Sequence, residues 1–464
     1  MKVLKVMALV LAICLLFTAC AKAQTGVIRK PAVSRPQSSN NEESTQSVLS
    51  QNASTQSIAS SNSQSNSLLT SSTDSTLSST LPSSSNVTGS NVYSSSQVLS
   101  GTVSGNSSVT TSSGSTTDIN AVPDYLKDHP VMEGTRDKYY WPFSKDSIWN
   151  MPIGSNAQLE PAGFEIEKNV AVDPEYFVQV DINDPIVDVY SPSSWETRMP
   201  GKEKTGELKV PNDFILADGT GHNNCATFIM PNGYSFYQLE PTCRVAEYPD
   251  RIVGHLYSDE PMSLYEQGIE GTHYGSGLSA IGGSVRKGEL TSDEPIRHAL
   301  KINMWAHKYL YYQKGGVEGY TWPATNCDRY ANTEGNKNKY EGTNPLIVQG
   351  SLLVLPKDVT VESLGIKTEV AKKIFFALQN YGAYISDDSA WSCYSLCAEN
   401  GVSEEVEAKY GFSLTQTEYE ENRGDYYDDF NKMMTSLCVV TNNTPDSIGG
   451  GGTPCQPLAP DFAE

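Results

Sequence analysis

A long tract of serine and threonine sets the strongest limit on what this chain can fold into. Residues 37–120 contain 31 Ser and 12 Thr, no Lys, Arg or Cys, and only one aromatic residue, Tyr93. Such a segment cannot bury enough apolar surface to offset the entropy lost on ordering. We therefore predict a disordered Ser/Thr-rich linker, with globular structure only in the residues that follow it.

The negative charge of the chain belongs to the region after this linker. Six basic and four acidic residues lie in the first 120 positions, so residues 121–464 carry 27 Lys and Arg against 50 Asp and Glu. The net charge of this region is −23, whereas that of the full 464-residue chain is −21. A surface this acidic repels phosphate backbones and anionic lipid headgroups. We expect no nucleic-acid partner and no basic membrane-binding patch.

The first twenty residues predict export. Lys2 and Lys5 precede an uninterrupted apolar run, Val6–Phe17, which is too short to cross a membrane and typical of a signal peptide. The segment Leu16-Phe17-Thr18-Ala19-Cys20 resembles the lipobox of bacterial lipoproteins. The resemblance implies a signal peptide over 1–19 and lipid attachment at Cys20. The alternative is an ordinary secretory peptide with a chance cysteine, which also leads to export.

These segments together predict three regions and an extracytoplasmic location. Residues 20–120 form a lipid-anchored linker, and 121–464 form the functional domain at the cell surface. The Ser/Thr-rich tract 37–120 within this linker has a root-mean-square span of roughly 50 Å. The membrane is a partner through the lipid anchor only. A glycosylated stalk is the alternative interpretation of the linker, and it too is a spacer.

Seven cysteines follow Cys20, and an oxidising compartment favours disulfides among them, with three pairs and one thiol left over. Cys225 and Cys243 flank a hairpin turn and are candidates to face each other across two strands. Cys393 and Cys397 are candidates to meet on one helical turn. A zinc site at this second pair lacks a further matched pair of ligands, so we predict no metal site.

The region after the linker is rich in short β-prone runs. Five of them are bounded by Pro, Asp, Asn or Gly: Tyr176–Val180, Ile186–Tyr190, Asp213–Leu216, Ala226–Met230 and Tyr234–Leu239. The last two flank the turn Pro231-Asn232-Gly233. This spacing predicts a mainly β domain, a jelly-roll-like β-sandwich with a few helices.

Helical patterns occur at two places. Thr368 is a suitable N-cap for a helix that begins at Glu369 and ends before Gly382. A second, acidic zone over 403–437 has Phe430, Met433, Met434 and Leu437 as its apolar edge. The segment Ile296–Tyr312 fits either a helix or a strand.

Several common chemistries are absent from the sequence. It contains no Gly-x-Ser-x-Gly elbow, no phosphate-binding loop, no His-Glu-x-x-His and no dinucleotide-binding fingerprint. We therefore predict no cofactor.

Three polar stretches are candidates for a site. The first contains His273 and continues through a glycine-rich segment to Arg286 and Glu289. Glycines let the backbone approach a ligand, although a loop with a surface ion pair gives the same pattern. The first stretch thus supplies a histidine, an arginine and a carboxylate.

The second stretch begins with Arg297 and His298 and continues to Trp305 and Trp322. Aromatic rings stack on the apolar faces of sugars while polar groups orient the hydroxyls. An aromatic core with a satisfied histidine is the alternative.

The third stretch is Asp387-Asp388, which comes directly after an apolar segment and just before Trp391. Two adjacent acids entering from a buried segment are costly unless they are paired or functional. A structural salt bridge is the alternative.

We expect the domain to act on polysaccharide or cell-wall glycan. The favoured reaction is glycosidic hydrolysis with Asp388 or Asp387 and Glu289 as the two carboxylates. The histidines and arginines would orient the substrate, and the tryptophans would stack on it. One alternative is a lyase, with Arg286 neutralising a uronate and His273 or Tyr274 moving protons. The other is a non-catalytic glycan-binding or wall-associated lipoprotein. The charge of −23 favours an uncharged polymer.

Several sequence blocks resemble a family of exported bacterial proteins, many of which carry Ser/Thr-rich or carbohydrate-binding appendages. The blocks begin at Trp141, His273, Ile296, Ala377 and Ser447, and they include Gly-Ser-Gly-Leu-Ser-Ala-Ile-Gly-Gly-Ser-Val-Arg, Arg-His-Ala-Leu-Lys and Asp-Asp-x-Ala-Trp. The resemblance covers nearly all of residues 139–460. It implies a β-rich extracytoplasmic domain and does not imply a reaction.

Overall fold

A computed structural model describes residues 135–195, 198–217, 222–419 and 423–463. The predictions made for the signal peptide, for Cys20 and for the linker lie outside the described residues. Among the residues that are described, no helix is long and apolar enough to cross a membrane.

The described part of the chain contains fourteen strands and five α-helices. The strands are β1 (Leu159–Pro161), β2 (Asn169–Gln179), β3 (Ile186–Pro192), β4 (Pro200–Lys209), β5 (Ala226–Ile229), β6 (Ser235–Cys243), β7 (Arg251–Leu256), β8 (Met262–Ser263), β9 (Glu270–His273), β10 (Leu300–Met304), β11 (Leu352–Val354), β12 (Ala383–Asp388), β13 (Cys393–Glu399) and β14 (Cys438–Val440). The helices are α1 (Ala306–Tyr309), α2 (Val361–Leu364), α3 (Glu369–Asn380), α4 (Val402–Tyr410) and α5 (Asp425–Thr435), and a 3₁₀ turn covers Ile448–Gly450.

Thirteen of these strands form one mixed sheet. Their order is β1-β14-β11-β12-β10-β13-β2-β5-β6-β7-β3-β4, and β8 pairs with β6. Four of the pairings, β10 with β12, β13 with β2, β2 with β5 and β3 with β7, are parallel, and the others are antiparallel. The prediction of a mainly β, sandwich-like domain with a few helices is confirmed. The parallel pairings were not predicted.

Strand β2 belongs to two halves of the sheet. Its residues 169–175 pair with β13, and its residues 176–179 pair with β5. Most of its side chains are buried, because elements pack on both of its faces. The strand therefore connects the half that contains β10, β12 and β13 to the half that contains β5, β6 and β7.

Four of the five predicted strands are present. The hairpin of β5 and β6 turns at Asn232, whose side-chain oxygen accepts hydrogen bonds from the backbone N–H groups of Tyr234 and Ser235. The prediction of a strand at Asp213–Leu216 is wrong. Phe214 N–H donates to the carbonyl of Pro211, so this segment is a turn, and only Leu216 makes an isolated β-bridge.

The helix predicted after Thr368 is α3, and the Thr368 hydroxyl caps it by accepting from Ala371 N–H. The acidic zone over 403–437 divides into α4 and α5, and its predicted apolar edge is buried. The ambiguous segment Ile296–Tyr312 contains both elements, β10 followed by α1. Helices α3 and α5 pack on the half of the sheet that contains β10 and β12.

None of the cysteines among the described residues forms a disulfide. By the register of β5 and β6, Cys225 lies opposite Glu240, whereas Cys243 pairs with Val253 of β7. The prediction that Cys393 and Cys397 share a helical turn is wrong, because both lie on strand β13. Residues four apart on a strand are separated by roughly 13 Å, which is too far for a disulfide.

Candidate functional site

Five strands bring charged side chains into one buried group. They are Glu175 of β2, Glu240 of β6, His273 of β9, Lys301 of β10 and Asp387 of β12, and each is at most 3% exposed. Buried charges are costly unless they are paired. We call these five residues the inner cluster.

His273 lies at the centre of the inner cluster. Its Nε2 is 2.6 Å from Glu175 Oε1, and its Nδ1 is 3.4 Å from Asp387 Oδ2. Burial and the Lys301 ammonium lower the pKa of His273, but the hydrogen bonds to Asp387 and Glu175 outweigh them and raise it to about 9. The imidazole ring is thus held between two carboxylates.

Lys301 neutralises Glu175 from the other side. Its Nζ is 2.8 Å from Glu175 Oε1 and donates to the carbonyls of Ser279 and Ala280 at 2.6 and 2.8 Å. The second oxygen of Glu175 accepts from the Ser284 hydroxyl. Glu175 is therefore fully satisfied.

Glu240 is not fully satisfied. Its Oε2 accepts from Tyr274 N–H at 3.2 Å, while its buried Oε1 has no hydrogen-bond partner among the described residues. Burial first, and then the charge of Asp387, raise the pKa of Glu240 well above its usual range. The thiol of Cys225 lies beside this carboxylate and 3.8 Å from His273 Nδ1.

Two further carboxyl groups lie at the partly exposed edge of the inner cluster. Asp388 accepts hydrogen bonds from the backbone N–H groups of Ala306 and Ala390 at 2.8 and 2.7 Å. Asp328 accepts from the Tyr340 hydroxyl at 2.5 Å. We call Asp328 and Asp388 the rim pair.

The environment of the rim pair favours the protonated form of Asp328. Burial contributes most, followed by the charges of Asp387 and then Asp388, and together they raise the pKa of Asp328 to about 8. Burial also raises the pKa of Asp388, but three hydrogen-bond donors oppose this shift by favouring its ionised form. The two members of the pair thus experience different environments.

Tyr330 connects the rim pair. Its hydroxyl donates to Asp388 Oδ2 at 2.9 Å. Burial, together with the charges of Asp328 and then Asp388, raises the pKa of Tyr330, so the phenol keeps its proton. The phenol therefore lies beside both carboxyl groups and hydrogen-bonds Asp388.

A glycine allows the loop after β9 to approach the inner cluster. A Cβ atom at Gly275 would lie 2.3 Å from Asp387 Oδ1 and 3.1 Å from Asp387 Cα. Any side chain at this position would displace Asp387, so the glycine-rich segment predicted as a ligand loop instead packs against a carboxylate. The neighbouring Tyr274 is 37% exposed and contacts the rings of Trp195 and His255.

Two of the three predicted tryptophan platforms lie beside Asp388. Trp391 is 40% exposed and belongs to the turn that Asp388 caps, while Trp305 directly precedes Ala306, which donates to Asp388. The third, Trp322, lines a cleft of about 560 Å³ together with Tyr320. Neither member of the rim pair lines that cleft.

The predicted residues Glu289 and His298 are close together, but in a separate group. The His298 Nε2 lies 3.1 Å from Glu289 Oε2, which also accepts from Arg286 N–H. The hydrogen bonds of Glu289 within the described residues involve no member of the inner cluster or of the rim pair. The structure therefore unites His273 with Asp387, and Glu289 with His298.

The two arginines that were predicted to bind substrate contact other protein groups instead. Arg286 is 1% exposed, donates to the Tyr139 carbonyl at 2.7 Å and lies 4.1 Å from the centre of the Phe177 ring. Arg297 is exposed and pairs with Glu294 at 2.5 Å. Neither arginine contacts the carboxyl groups of the inner cluster or the rim pair.

Sequence reasoning missed several members of this site. Glu175 and Glu240 are single acidic residues at the edge of or within β-prone runs. An acidic side chain is costly to bury, so its presence in such a run indicates a paired or functional group. Asp328 and Tyr330 lie in a polar loop, where nothing in the local pattern distinguishes them. Comparison with protein-family models, with curated proteins and with solved structures finds no match to this chain.

Proposed function

We propose that the chain is a cell-surface lipoprotein that hydrolyses glycosidic bonds in an uncharged polysaccharide. In this proposal Asp328 is the general acid, and Asp388 is the base or the nucleophile. The observation that carries it is the grouping of both carboxyl groups around the Tyr330 phenol, which donates to Asp388 at 2.9 Å and has Asp328 as its strongest charged neighbour.

Both carboxyl groups of the rim pair lie beside one phenol. The Tyr330 hydroxyl donates to Asp388 Oδ2 at 2.9 Å, and Asp328 is the strongest charged neighbour of this phenol. Glycosidases place their two carboxyl groups about 5–10 Å apart, the shorter separation in retaining enzymes and the longer in inverting enzymes. Asp328 therefore replaces Glu289 as the proposed partner of Asp388, because Glu289 is occupied by His298.

The electrostatics of the pair support the assignment of roles. A general acid must hold a proton at the working pH, and the pKa of Asp328 is raised to about 8, chiefly by burial. The three hydrogen bonds that Asp388 accepts stabilise its carboxylate form. A proton donor and a carboxylate thus stand on either side of one hydroxyl.

The surroundings of the pair suit a neutral sugar. The exposed Trp391, three residues after Asp388, offers an apolar ring face on which a sugar ring can stack. The net charge of −23 over residues 121–464 disfavours a polyanionic chain. The lipobox-like segment ending at Cys20 and the linker over 20–120 support attachment to the cell membrane, with the domain held at the surface.

A lyase has less support. That reaction was tied to Arg286 and His273, and both side chains are at most 1% exposed and engaged with protein partners. Neither reaches a substrate without rearrangement of the core.

The experiment is release of reducing ends from a panel of neutral and charged polysaccharides by the full chain. We expect activity on a neutral glycan and a loss of about 10²–10⁴-fold in kcat for Asp328→Asn and for Asp388→Asn. Activity of the wild-type chain should fall as the pH rises through about 8, where Asp328 loses its proton.

Glu289→Gln is the matched control, because it removes a buried carboxylate outside the rim pair. The proposal fails if Glu289→Gln abolishes activity while the rim-pair variants retain it. Products that absorb in the near ultraviolet would instead identify a lyase. Binding of a glycan without any bond cleavage would identify a binding protein.

A further inference from the structure

We propose that the cleft of about 560 Å³ beside Trp322 is a second binding site for the uncharged polysaccharide, separate from the rim pair. The identity of this ligand rests on the proposed function. The cleft holds one stretch of the polymer while another stretch lies at Asp328 and Asp388. Binding at the cleft thereby raises the local concentration of substrate at the two carboxyl groups.

The first argument is the size and construction of the cleft. Its volume falls within the range of about 300–1,000 Å³ that is typical of ligand pockets. Leu352 of β11 and Val439 of β14 line it, and these two strands pair with each other in the sheet. A turn over 313–317 also contributes to the lining, and it is closed by a hydrogen bond of 2.7 Å from Gln313 N–H to the Val317 carbonyl. The lining is thus made of hydrogen-bonded elements, so a ligand needs to order little of the protein when it binds.

The second argument is the pair of aromatic side chains in the lining. Tyr320 is 42% exposed, whereas Trp322 is half-buried because part of it packs against the hydrophobic core. The residue between them, Thr321, donates its N–H to the Gln349 carbonyl at 2.9 Å, which fixes the backbone that carries both rings. Aromatic rings stack on the apolar faces of sugars. The cleft therefore offers two positioned rings to a glycan.

The third argument is the kind of polar group in the lining. Thr321, Ser351 and Thr441 contribute hydroxyl groups, and Asn443 contributes an amide. The Gly449 N–H donates to the side-chain oxygen of Asn443 at 3.0 Å and so orients this amide. Uncharged groups that donate and accept hydrogen bonds match the hydroxyl groups of a sugar.

The charge of the lining favours an uncharged ligand. Among the described residues that line the cleft, only Glu318 is charged, and its Oε1 accepts from Gly315 N–H at 2.9 Å. This lining therefore holds no basic side chain that would attract a polyanion, and the net charge of −23 over residues 121–464 repels one.

The fourth argument is the short connection between the cleft and the rim pair. Trp322 and Asp328 are six residues apart, so their Cα atoms are at most about 22 Å from each other. A second connection runs through Gly350, which lines the cleft and donates its N–H to the Ile385 carbonyl at 2.8 Å. Ile385 belongs to β12, the strand that ends at Asp388. One polymer chain is therefore long enough to contact both places.

The test is affinity electrophoresis of the full chain in native gels that each contain one soluble polysaccharide. Dextran, glucomannan and mixed-linkage β-glucan are the uncharged polymers, and polygalacturonate is the anionic control. The chain carries Asp388→Asn, so that binding is measured without bond cleavage. We expect at least one uncharged polymer to retard this parent protein, and we expect polygalacturonate not to retard it.

Two substitutions in the cleft identify the binding site. Tyr320→Ala should weaken binding by about 10-fold or more, as the loss of an aromatic anchor does, and its fold should persist because Tyr320 is exposed. Trp322→Ala should have the same effect, and circular dichroism checks that this variant folds. Tyr234→Ala is the matched control, because Tyr234 is also 42% exposed but lies in the hairpin between β5 and β6. This control should bind as the parent does.

The proposal is overturned if no uncharged polymer retards the parent, or if polygalacturonate retards it as strongly. It is also overturned if Tyr320→Ala and a folded Trp322→Ala bind as tightly as the parent. Release of reducing ends by the wild-type chain tests the rim pair separately. Retardation that depends on Tyr320, without any release, supports the cleft and refutes the hydrolase, whereas release without such retardation has the opposite meaning.

Discussion

Replacement of Lys301 by methionine tests how much the inner cluster contributes to stability. Methionine fills a similar volume but cannot neutralise Glu175, which is buried. Loss of one partner of a buried ion pair costs about 3–5 kcal/mol. Glu175 keeps its contacts with His273 and Ser284 but loses the ammonium group that lies 2.8 Å from its carboxylate. The Ser279 carbonyl also loses its contact with Lys301, at about 1 kcal/mol. We expect a total destabilisation of about 4–6 kcal/mol.

Urea unfolding followed by circular dichroism measures this difference. With a slope of about 3 kcal/mol per molar urea, the midpoint should fall by about 1.3–2 M. Lys372→Met is the matched control, since Lys372 pairs with Glu369 on the surface of α3. Exposed pairs of this kind contribute about 0.3–0.5 kcal/mol, so the control should unfold almost as the wild type does.

A double-mutant cycle shows whether the stability lost in Lys301→Met comes from its contact with Glu175. In Glu175→Gln/Lys301→Met the buried charge is gone, so the double variant should be less destabilised than the sum of the single variants predicts. The reasoning is refuted if Lys301→Met costs less than about 1 kcal/mol. It is also refuted if the two substitutions are strictly additive, since the Lys301–Glu175 contact of 2.8 Å would then carry no coupling.

Two other predictions concern the surroundings of the site. Burial alone lowers the pKa of His298, but the carboxylate of Glu289 raises it overall, so the stabilisation is complete below about pH 6.5 and is lost as the pH rises through the folded-state pKa. The stability difference between the wild type and His298→Gln should therefore shrink between pH 6 and pH 8, and a constant difference would contradict this account. Gly275→Ala should destabilise the domain by about 1–3 kcal/mol, because its Cβ meets the backbone of Asp387 at 3.1 Å. Gly316→Ala, where the nearest atoms belong to the flexible side chain of Gln313, should change the melting temperature little, and equal effects of the two substitutions would argue against a steric cause.

Short-range sequence patterns correctly predicted many of the strands and helices. The hairpin at Asn232 and the helix capped by Thr368 follow from short-range chemistry, in which one side chain satisfies nearby backbone groups. Asp213–Leu216 shows the limit of this reasoning, because β-prone residues form a strand only where a neighbouring strand is available to pair with them. The parallel pairings escaped prediction for the same reason, since they join segments that are far apart along the chain.

The candidate site was predicted only in part. Asp387 and Asp388 were selected because charge beside apolar sequence is costly, and His273 because it begins a polar, glycine-rich stretch. The structure places all three in or beside one cluster. Glu289 was chosen as a carboxylate on a separate segment, but which segments meet depends on the order of strands in the sheet. Asp328 comes from a loop whose sequence resembles any polar surface loop, so only the fold reveals its neighbours.

The way β2 is shared between two halves of the sheet bears on how the domain unfolds. Its hydrogen bonds to β13 end at Glu175, and those to β5 begin at Tyr176. Neither half can therefore detach without breaking the strand that the other half also uses. Loss of structure on one side exposes a sheet edge on the other, so partial opening is costly and proteolytic nicking should follow global unfolding. Resistance of the domain to proteases thus depends on a single continuous strand.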